Sequence, residues 1–303
     1  MKIIQTAIVG FGNVGKFAYE AVRNAPDMEL RCIVEKSDAA VANIPSHLVN
    51  IREKDVKDIR TYGDIDVAIL GAPSRACPDL AETLLKMGIC TIDAYDIHEN
   101  IWEVKCRLDE TAKKSGKAGI ISVGWDPGSD SIIRALMQAM APQGITYRDF
   151  GPGMSMGHTV AVKDVEGVEN AISMTIPTGA SVHRRMVYVQ LKDGACIEKV
   201  TQAIKTDPYF VHDETHVIQV DDVAELIDMG HGVHITRKGV SGGAHNQIME
   251  FFLKINGPAV TAQILIGAAR AVVKQNPGCY TLIEIPVIDM LPGDKKDIIK
   301  QLV

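Results

Sequence analysis

Ala7-Ile8-Val9-Gly10-Phe11-Gly12-Asn13-Val14-Gly15 decides the fold. Its first residues end an apolar run of strand length, Ile3 to Val9, and Val14 to Arg23 repeats apolar residues at helical spacing. The three glycines therefore stand at a strand-to-helix turn. In such a turn the first Gly allows the reversal, the second lets backbone approach a pyrophosphate, and the third lets the helix pack against the strand. The helix start leaves N–H groups free to receive an anion. A tight turn without a ligand is the competing reading, and the strand and helix on either side weigh against it.

Working outward, Leu30 to Val34, Val67 to Leu70, Cys90 to Asp93 and Gly119 to Val123 read as further buried strands. Helices are expected over Val14 to Arg23, Pro78 to Met87 and Ile101 to Lys114, with Gly88 and Gly116 as their C-terminal stops in the last two. Alternation of this kind predicts a parallel sheet covered by helices. After Gly124 and one more helix, Ser131 to Met140, the pattern changes. Ala171 to Ile176, Met186 to Leu191, His216 to Val220, Val233 to Lys238 and Gln247 to Ile255 alternate as in a mainly antiparallel sheet with one open face. Pro258 to Lys274 reads as a long helix and Thr281 to Val287 as a last strand. The fold class is α/β: a Rossmann-type doubly wound parallel sheet with a second α/β domain. The expected division is a dinucleotide-binding domain over 1–123, completed by 276–303, and a substrate-binding and oligomerisation domain over 124–275.

A chain of 303 residues is longer than one core usually grows, which agrees with two domains. Net charge is −6, and no Lys/Arg cluster stands out, so nucleic-acid and membrane partners are disfavoured. No apolar run reaches the ~20 residues of a membrane span, and the N-terminus leads straight into patterned sequence, so a cytoplasmic protein is expected. Six scattered cysteines without a C-x-x-C pair fit reduced thiols and suggest neither zinc nor disulfides.

About twenty residues beyond the glycine turn, strand two ends in Glu35-Lys36-Ser37, where the adenosine ribose should lie. Glu35 would accept bonds from a free 2′-hydroxyl and repel a 2′-phosphate, whereas Lys36 and Ser37 favour the phosphate. Residue chemistry alone leaves NAD and NADP both open. Gly71-Ala72-Pro73-Ser74, Ala94-Tyr95-Asp96 and Val123-Gly124-Trp125-Asp126-Pro127 follow three other strands at the ends where ligands bind. With Gly10 to Gly15 they form the expected cofactor set, Tyr95 having packing as an equal alternative. The Gly-rich segment Phe150 to His158 follows shortly, and aromatic and acidic side chains beside close-approaching backbone suggest a small amine-bearing substrate.

The stretches AIVGFGNVG, DAYDIH, SVGWDPGSDS, FGPGMSMGH, SMTIP, HRR, MGHG and PGCYTLIEIP span essentially the whole chain and closely resemble the meso-diaminopimelate D-dehydrogenase family. The resemblance implies NADP-dependent, reversible oxidative deamination of the D-centre of meso-2,6-diaminopimelate to L-2-amino-6-oxopimelate and ammonia. That reaction belongs to diaminopimelate and lysine biosynthesis. It also implies a homodimer as the basic unit, with higher assembly left open. Positions matching the family's substrate contacts are Asp96, Asp126, Phe150, Met156, Gly157, Thr175, Arg185 and His231. Trp125 and Asn256 join them as candidates.

The chemistry of these residues can be weighed separately. Hydride leaves the carbon bearing the amine, so carboxylates at Asp96 and Asp126 suit orienting the ammonium and stabilising the iminium. Asp126, before Pro127, has a structural cap as its alternative. Arg185 offers a planar fork to the distal carboxylate, with Thr175 and His231 as further donors. Arg184 should face the other side of the strand. His158 and His183 read first as structural donors, and His245, near Gly242-Gly243, as loop structure. Two departures from the family pattern stand out: Gly257 occupies the place of an Asn, with Asn256 one position earlier, and Glu35-Lys36-Ser37 replaces adjacent arginines. The missing Asn before Pro258 keeps open a dehydrogenase or reductive aminase for another D-amino acid or 2-keto acid. A non-enzymatic dinucleotide sensor is the reading from another class, and Asp96, Asp126, Thr175, Arg185 and His231 argue against it. Closure of the two domains around the reacting carbon is expected of the architecture.

Overall fold

A computed structural model describes residues 3–42, 44–45, 49–51, 53–226, 230 and 232–303. The strands are β1 (Ile4–Val9), β2 (Met28–Val34), β3 (Val49–Ile51), β4 (Val67–Leu70), β5 (Cys90–Asp93), β6 (Ala118–Ile120), β7 (Gln143–Phe150), β8 (Gly153–Met154), β9 (Val168–Gly179), β10 (Val182–Leu191), β11 (Glu214–Gln219), β12 (Val233–Ser241), β13 (Ala244–Leu253) and β14 (Gly278–Tyr280). The helices are α1 (Asn13–Arg23), α2 (Asp38–Val41), α3 (Cys77–Lys86), α4 (Ile101–Ser115), α5 (Ser129–Met140), α6 (Met156–Lys163), α7 (Ile197–Thr206), α8 (Gly257–Val272) and α9 (Lys295–Leu302). They divide into two compact units, Met1–Ile132 with Pro258–Val303, and Ile133–Gly257.

The first unit holds a seven-stranded sheet in the order β14-β6-β5-β4-β1-β2-β3, every neighbouring pair parallel. Alternate residues along each strand feed two separate cores, which is what a sheet buried on both faces requires. Ile8, Ile33, Ile69, Ile92 and Ile120 join α1 and α8 on one side. Ala7, Val9, Cys32, Val34, Ala68 and Leu70 join α3 and α4 on the other. The sequence assigned Pro258 to Lys274 to the second domain, yet α8 packs in the first unit. Its Ala262, Leu265, Ile266, Ala268, Ala269 and Val272 are fully buried, and such a face has to complete a core. Arg270 of α8 forms a buried two-pronged pair with Asp27 (2.7 and 2.8 Å), tying the C-terminal segment to the start of β2. The expected strand over Thr281 to Val287 is instead two short 3₁₀ turns, Leu282–Glu284 and Val287–Met290. Thr281 and Glu284 cap each other there, and Pro286 withholds an N–H from any ladder. The strand lies just before them, as β14.

The second unit carries two sheets where one was expected. The order β11-β10-β9-β8 is antiparallel except for the parallel β10–β11 pair, and β13-β12-β7 is wholly antiparallel. Helices α6 and α7 cover the four-stranded sheet around Val162, Val187, Val189, Val200, Ile204 and Phe210. The sequence reading passed over α7, although Ile197, Val200 and Ile204 recur at helical spacing.

Candidate active site

In the first unit the chain turns at Gly10 (φ +94°) from β1 into α1. A methyl group on Gly15 would stand 2.0 Å from the Gly10 carbonyl oxygen, so only Gly lets α1 approach β1 this closely. Beside Gly12 the space is open, and no side chain caps α1. The orphan N–H groups at its start, Asn13 and Val14 among them, thus remain for a ligand, and this cradle fits a dinucleotide pyrophosphate. The Phe11 ring is buried against Tyr19.

Glu35 sits differently from a ribose acceptor. It is buried, and its carboxylate points back into the turn: Oε2 accepts the Phe11 N–H (2.5 Å) and Oε1 accepts the Ser37 N–H (2.8 Å). Lys36 and Ser37 are exposed, the Ser37 hydroxyl capping α2 through the Ala40 N–H. The acid that argued against a 2′-phosphate is therefore occupied inside the loop.

At the C-terminal ends of β4, β5 and β6 three loops lie side by side. The Gly71 N–H bonds to the Val9 carbonyl, which seats Gly71-Ala72-Pro73-Ser74 against the glycine turn. Ser74 Oγ donates to Asp96 Oδ1 (2.6 Å), so one carboxylate oxygen is held while Asp96 stays half-buried. Tyr95, by contrast, is buried in the core with Leu80 and Leu84, which is the packing alternative; Ala94 beside it is half-buried. Beneath them Asp93 is fully buried, and desolvation pushes its carboxyl up to about 6 despite N–H bonds from Tyr95 and Ser122. The Val123 N–H bonds to the Asp93 carbonyl, leading into a loop that closes on itself: Gly124 N–H reaches the Pro127 carbonyl (2.9 Å) and Ser129 N–H the Gly124 carbonyl (3.0 Å). Trp125 and Asp126 are held half-buried on this loop, with the Asp126–Pro127 bond cis.

In the second unit, Thr175 on β9 and Arg185 on β10 are direct cross-strand partners. Both are buried, and Arg185 Nη1 donates to Thr175 Oγ1. Arg185 Nε also donates to Asp213 Oδ2 (2.6 Å). The sequence reading missed Asp213, which lies 28 residues away and reaches Arg185 only through the β10–β11 pairing. Arg184 faces the opposite side and pairs with Glu214 (3.0 Å), as strand alternation requires.

Phe150 ends β7 under the His183 ring, and its N–H bonds to His183 Nε2 (2.8 Å). Accepting that bond requires His183 to be neutral. Burial first, and the Arg185 charge second, pull its pKa below the ordinary value. Gly151 then presses on the Thr175 carbonyl, where a Cβ would stand 2.3 Å away. Met156 and Gly157 open α6, whose start is steadied by the Ser155 hydroxyl at His158 Nδ1 (2.8 Å) while the His158 ring packs on Tyr209 and Phe210. Each of the two histidines thus has a hydrogen-bond partner within the unit. Gly230 pairs with Met154 and lies against the backbone of Ile255 and Gly257, bringing exposed Asn256 to the same segment. Gly257 begins α8 and has no side chain to offer. His231 lies outside the described residues. Among the described residues no cluster of His, Cys, Asp or Glu could hold a metal ion.

A parallel doubly wound sheet with a glycine cradle and two carboxylates at its strand ends defines a dinucleotide-dependent oxidoreductase. The family described as "Oxidoreductase family, NAD-binding Rossmann fold" matches residues 4–119. The family "Diaminopimelic acid dehydrogenase C-terminal domain" matches residues 124–257. The chain is 54% identical over 303 residues to the meso-diaminopimelate D-dehydrogenase of Bacteroides fragilis, covering 100% of both chains. A solved structure of the Corynebacterium glutamicum diaminopimelate dehydrogenase with diaminopimelate bound superposes with a TM-score of 0.89 at 30% identity, covering 100% of both. An engineered D-amino acid dehydrogenase bound to NADP+ gives 0.90 at 28%, again covering 100% of both. The chain belongs to the meso-diaminopimelate D-dehydrogenase family.

Proposed function

We propose that the protein oxidises the D-centre of meso-2,6-diaminopimelate with NADP+ and water, giving L-2-amino-6-oxopimelate, ammonium, NADPH and a proton, reversibly. The observation that carries this reading is the placement of Asp96 and Asp126 at the C-terminal end of the sheet whose first turn forms the glycine cradle. When bound, the nicotinamide accepts the hydride from the D-carbon. Asp96 and Asp126 orient the ammonium of that carbon, favour the iminium by charge, and hold the proton that leaves before water adds. Trp125, Phe150, Met156 and Gly157 are assigned to the reacting end of the substrate, and Thr175, Arg185, His231 and Asn256 to its L-amino-acid end. The cofactor is held by Gly10 to Gly15, Gly71 to Ser74, Ala94 and the loop from Val123 to Pro127, with the Tyr95 ring only packing behind. NADP is preferred over NAD because Glu35 is spent inside the turn while Lys36 is presented at the ribose end.

Division of labour follows the two units: the first carries the dinucleotide, the second the substrate anchor and the contacts between subunits. The working form is a homodimer, a reading supported by the open apolar face of the β13-β12-β7 sheet. No helix among the described residues is long and apolar enough to cross a membrane. Six free thiols, four of them buried, support a reducing cytoplasm as its place of action.

Steady-state kinetics on meso-diaminopimelate with NADP and NAD in parallel tests the reading. NADPH should form with stoichiometric ammonium, NAD should serve less well, and the L,L isomer should be ignored; no turnover with either cofactor would end it. Gly257 favours a second reading, reductive amination of another 2-keto acid. Higher kcat/KM on a monocarboxylic D-amino acid in the same assay would select it.

A further inference from the structure

Granted that Arg185 holds the distal carboxylate, we propose that Asp213 is the positioning residue of that anchor, orienting the guanidinium so that its terminal fork alone is presented to substrate. Arg185 lies opposite Thr175 on one neighbouring strand and Thr215 on the other, and Asp213 precedes Thr215 by two residues, so the three reach the same face. The guanidinium has five N–H groups. Nε–H is taken by Asp213 Oδ2 (2.6 Å) and one Nη1–H by Thr175 Oγ1. The remaining three are the second Nη1–H and both Nη2–H, the pair of nitrogens a carboxylate engages with two parallel bonds.

Asp213 is itself fixed. Its N–H bonds to the Phe210 carbonyl (3.0 Å) and its carbonyl accepts the Thr215 hydroxyl (3.1 Å). Phe210 in turn is buried in the core under α6 and α7. The side chains of Arg185 and Asp213 keep only 11% and 23% of their exposure, so the acid also neutralises a cation that would otherwise sit desolvated and unpaired before substrate arrives. Glu214, the next residue, faces the other side with Arg184 and cannot stand in.

A double-mutant cycle on the full-length enzyme tests this, measuring KM and kcat for meso-diaminopimelate in wild type, Asp213→Leu, Arg185→Met and the double variant. Asp213→Leu should raise KM about tenfold with kcat within about twofold, because an unguided long side chain must be ordered when substrate binds. The double variant should be no worse than Arg185→Met alone, since Asp213 then has nothing to orient. Asp213→Asn, nearly isosteric and still an acceptor, should show a smaller rise in KM and keeps the test readable if the Leu variant fails to fold. Unchanged KM in both Asp213 variants, equal loss in kcat, or additive losses in the cycle would each overturn the proposal. An unchanged KM in Arg185→Met would instead overturn the anchor reading on which it rests.

Discussion

Glu35 shows how far a single residue's identity can mislead when its direction is unknown. In sequence it occupies the place from which a carboxylate reads a ribose 2′-hydroxyl, and that position left NAD and NADP open. In the fold its two oxygens bind the Phe11 and Ser37 N–H groups, so it clips the glycine turn to the end of β2. A clip and a reader respond differently to the same change. Replacing Glu35 with Gln leaves one of the two N–H groups facing an amide donor, and a hydrogen bond to a charged group contributes roughly 1.5–3 kcal/mol. KM for NADP and KM for NAD should therefore rise together, by about tenfold or more, with their ratio unchanged. A variant whose KM falls for NADP while rising for NAD would show Glu35 to be the reader after all. Asp96 was more legible, because Ser74 and Asp96 both follow strand ends and strand order brings such loops together. Asp213 carried no comparable signal: nothing in the sequence says that β11 runs parallel to β10 and delivers that acid to Arg185.

At the scale of elements, the parallel half was the easier to read, since each strand is a short apolar run and each connection a helix. The second unit resisted because its strands alternate, and alternation does not say which strands share a sheet. Among the residues that join its two sheets are Ser181, bonded to Arg148 and Asp149, and His183. His183 stands on β10 in the four-stranded sheet and accepts the Phe150 N–H at the end of β7 in the three-stranded one. Protonation would remove that acceptor. Because the folded-state pKa is lowered below the ordinary 6.5, the contribution of His183 is complete above 6.5 and is lost as pH falls toward the folded value. Asp93 acts with the opposite sign: its carboxyl titrates near 6 in the fold against 3.8 normally, so its contribution is complete below 3.8 and is lost as pH rises to about 6. The two contribute slopes of opposite sign, so the total slope of stability with pH would not report either alone. The difference in unfolding free energy between wild type and His183→Gln, taken from pH 8 to pH 5, isolates the first. That difference should shrink as the pH drops below 6.5; a constant difference would mean that His183 is not held neutral by the fold.

For the molecule as a whole, the three-stranded sheet carries large apolar side chains that stay exposed. Register places Ile145, Lys238 and Ile248 in one row and Asp149, His234 and Phe252 in another on the same face. Ile145, Ile248 and Phe252 remain 58%, 62% and 68% exposed on that face, and β13 is a ten-residue edge strand. Open apolar faces and long edges invite association, and a monomer would be expected to blunt them. A second copy can cover both with the same surface, since a two-fold axis sets each patch against its twin. Lys238 and Glu250 on that face add opposite charges that can meet across such an axis. Substituting Glu for Phe252 places a like-charged pair of side chains near the axis and removes an aromatic anchor, so sedimentation velocity should show a dimer for wild type and a shift toward monomer for Phe252→Glu at micromolar concentration. The glycine cradle is built within the other unit, so NADP binding serves as a control that should persist in the variant. A wild-type protein that sediments as a monomer, or a variant that remains fully dimeric, would assign this face to something other than a second subunit.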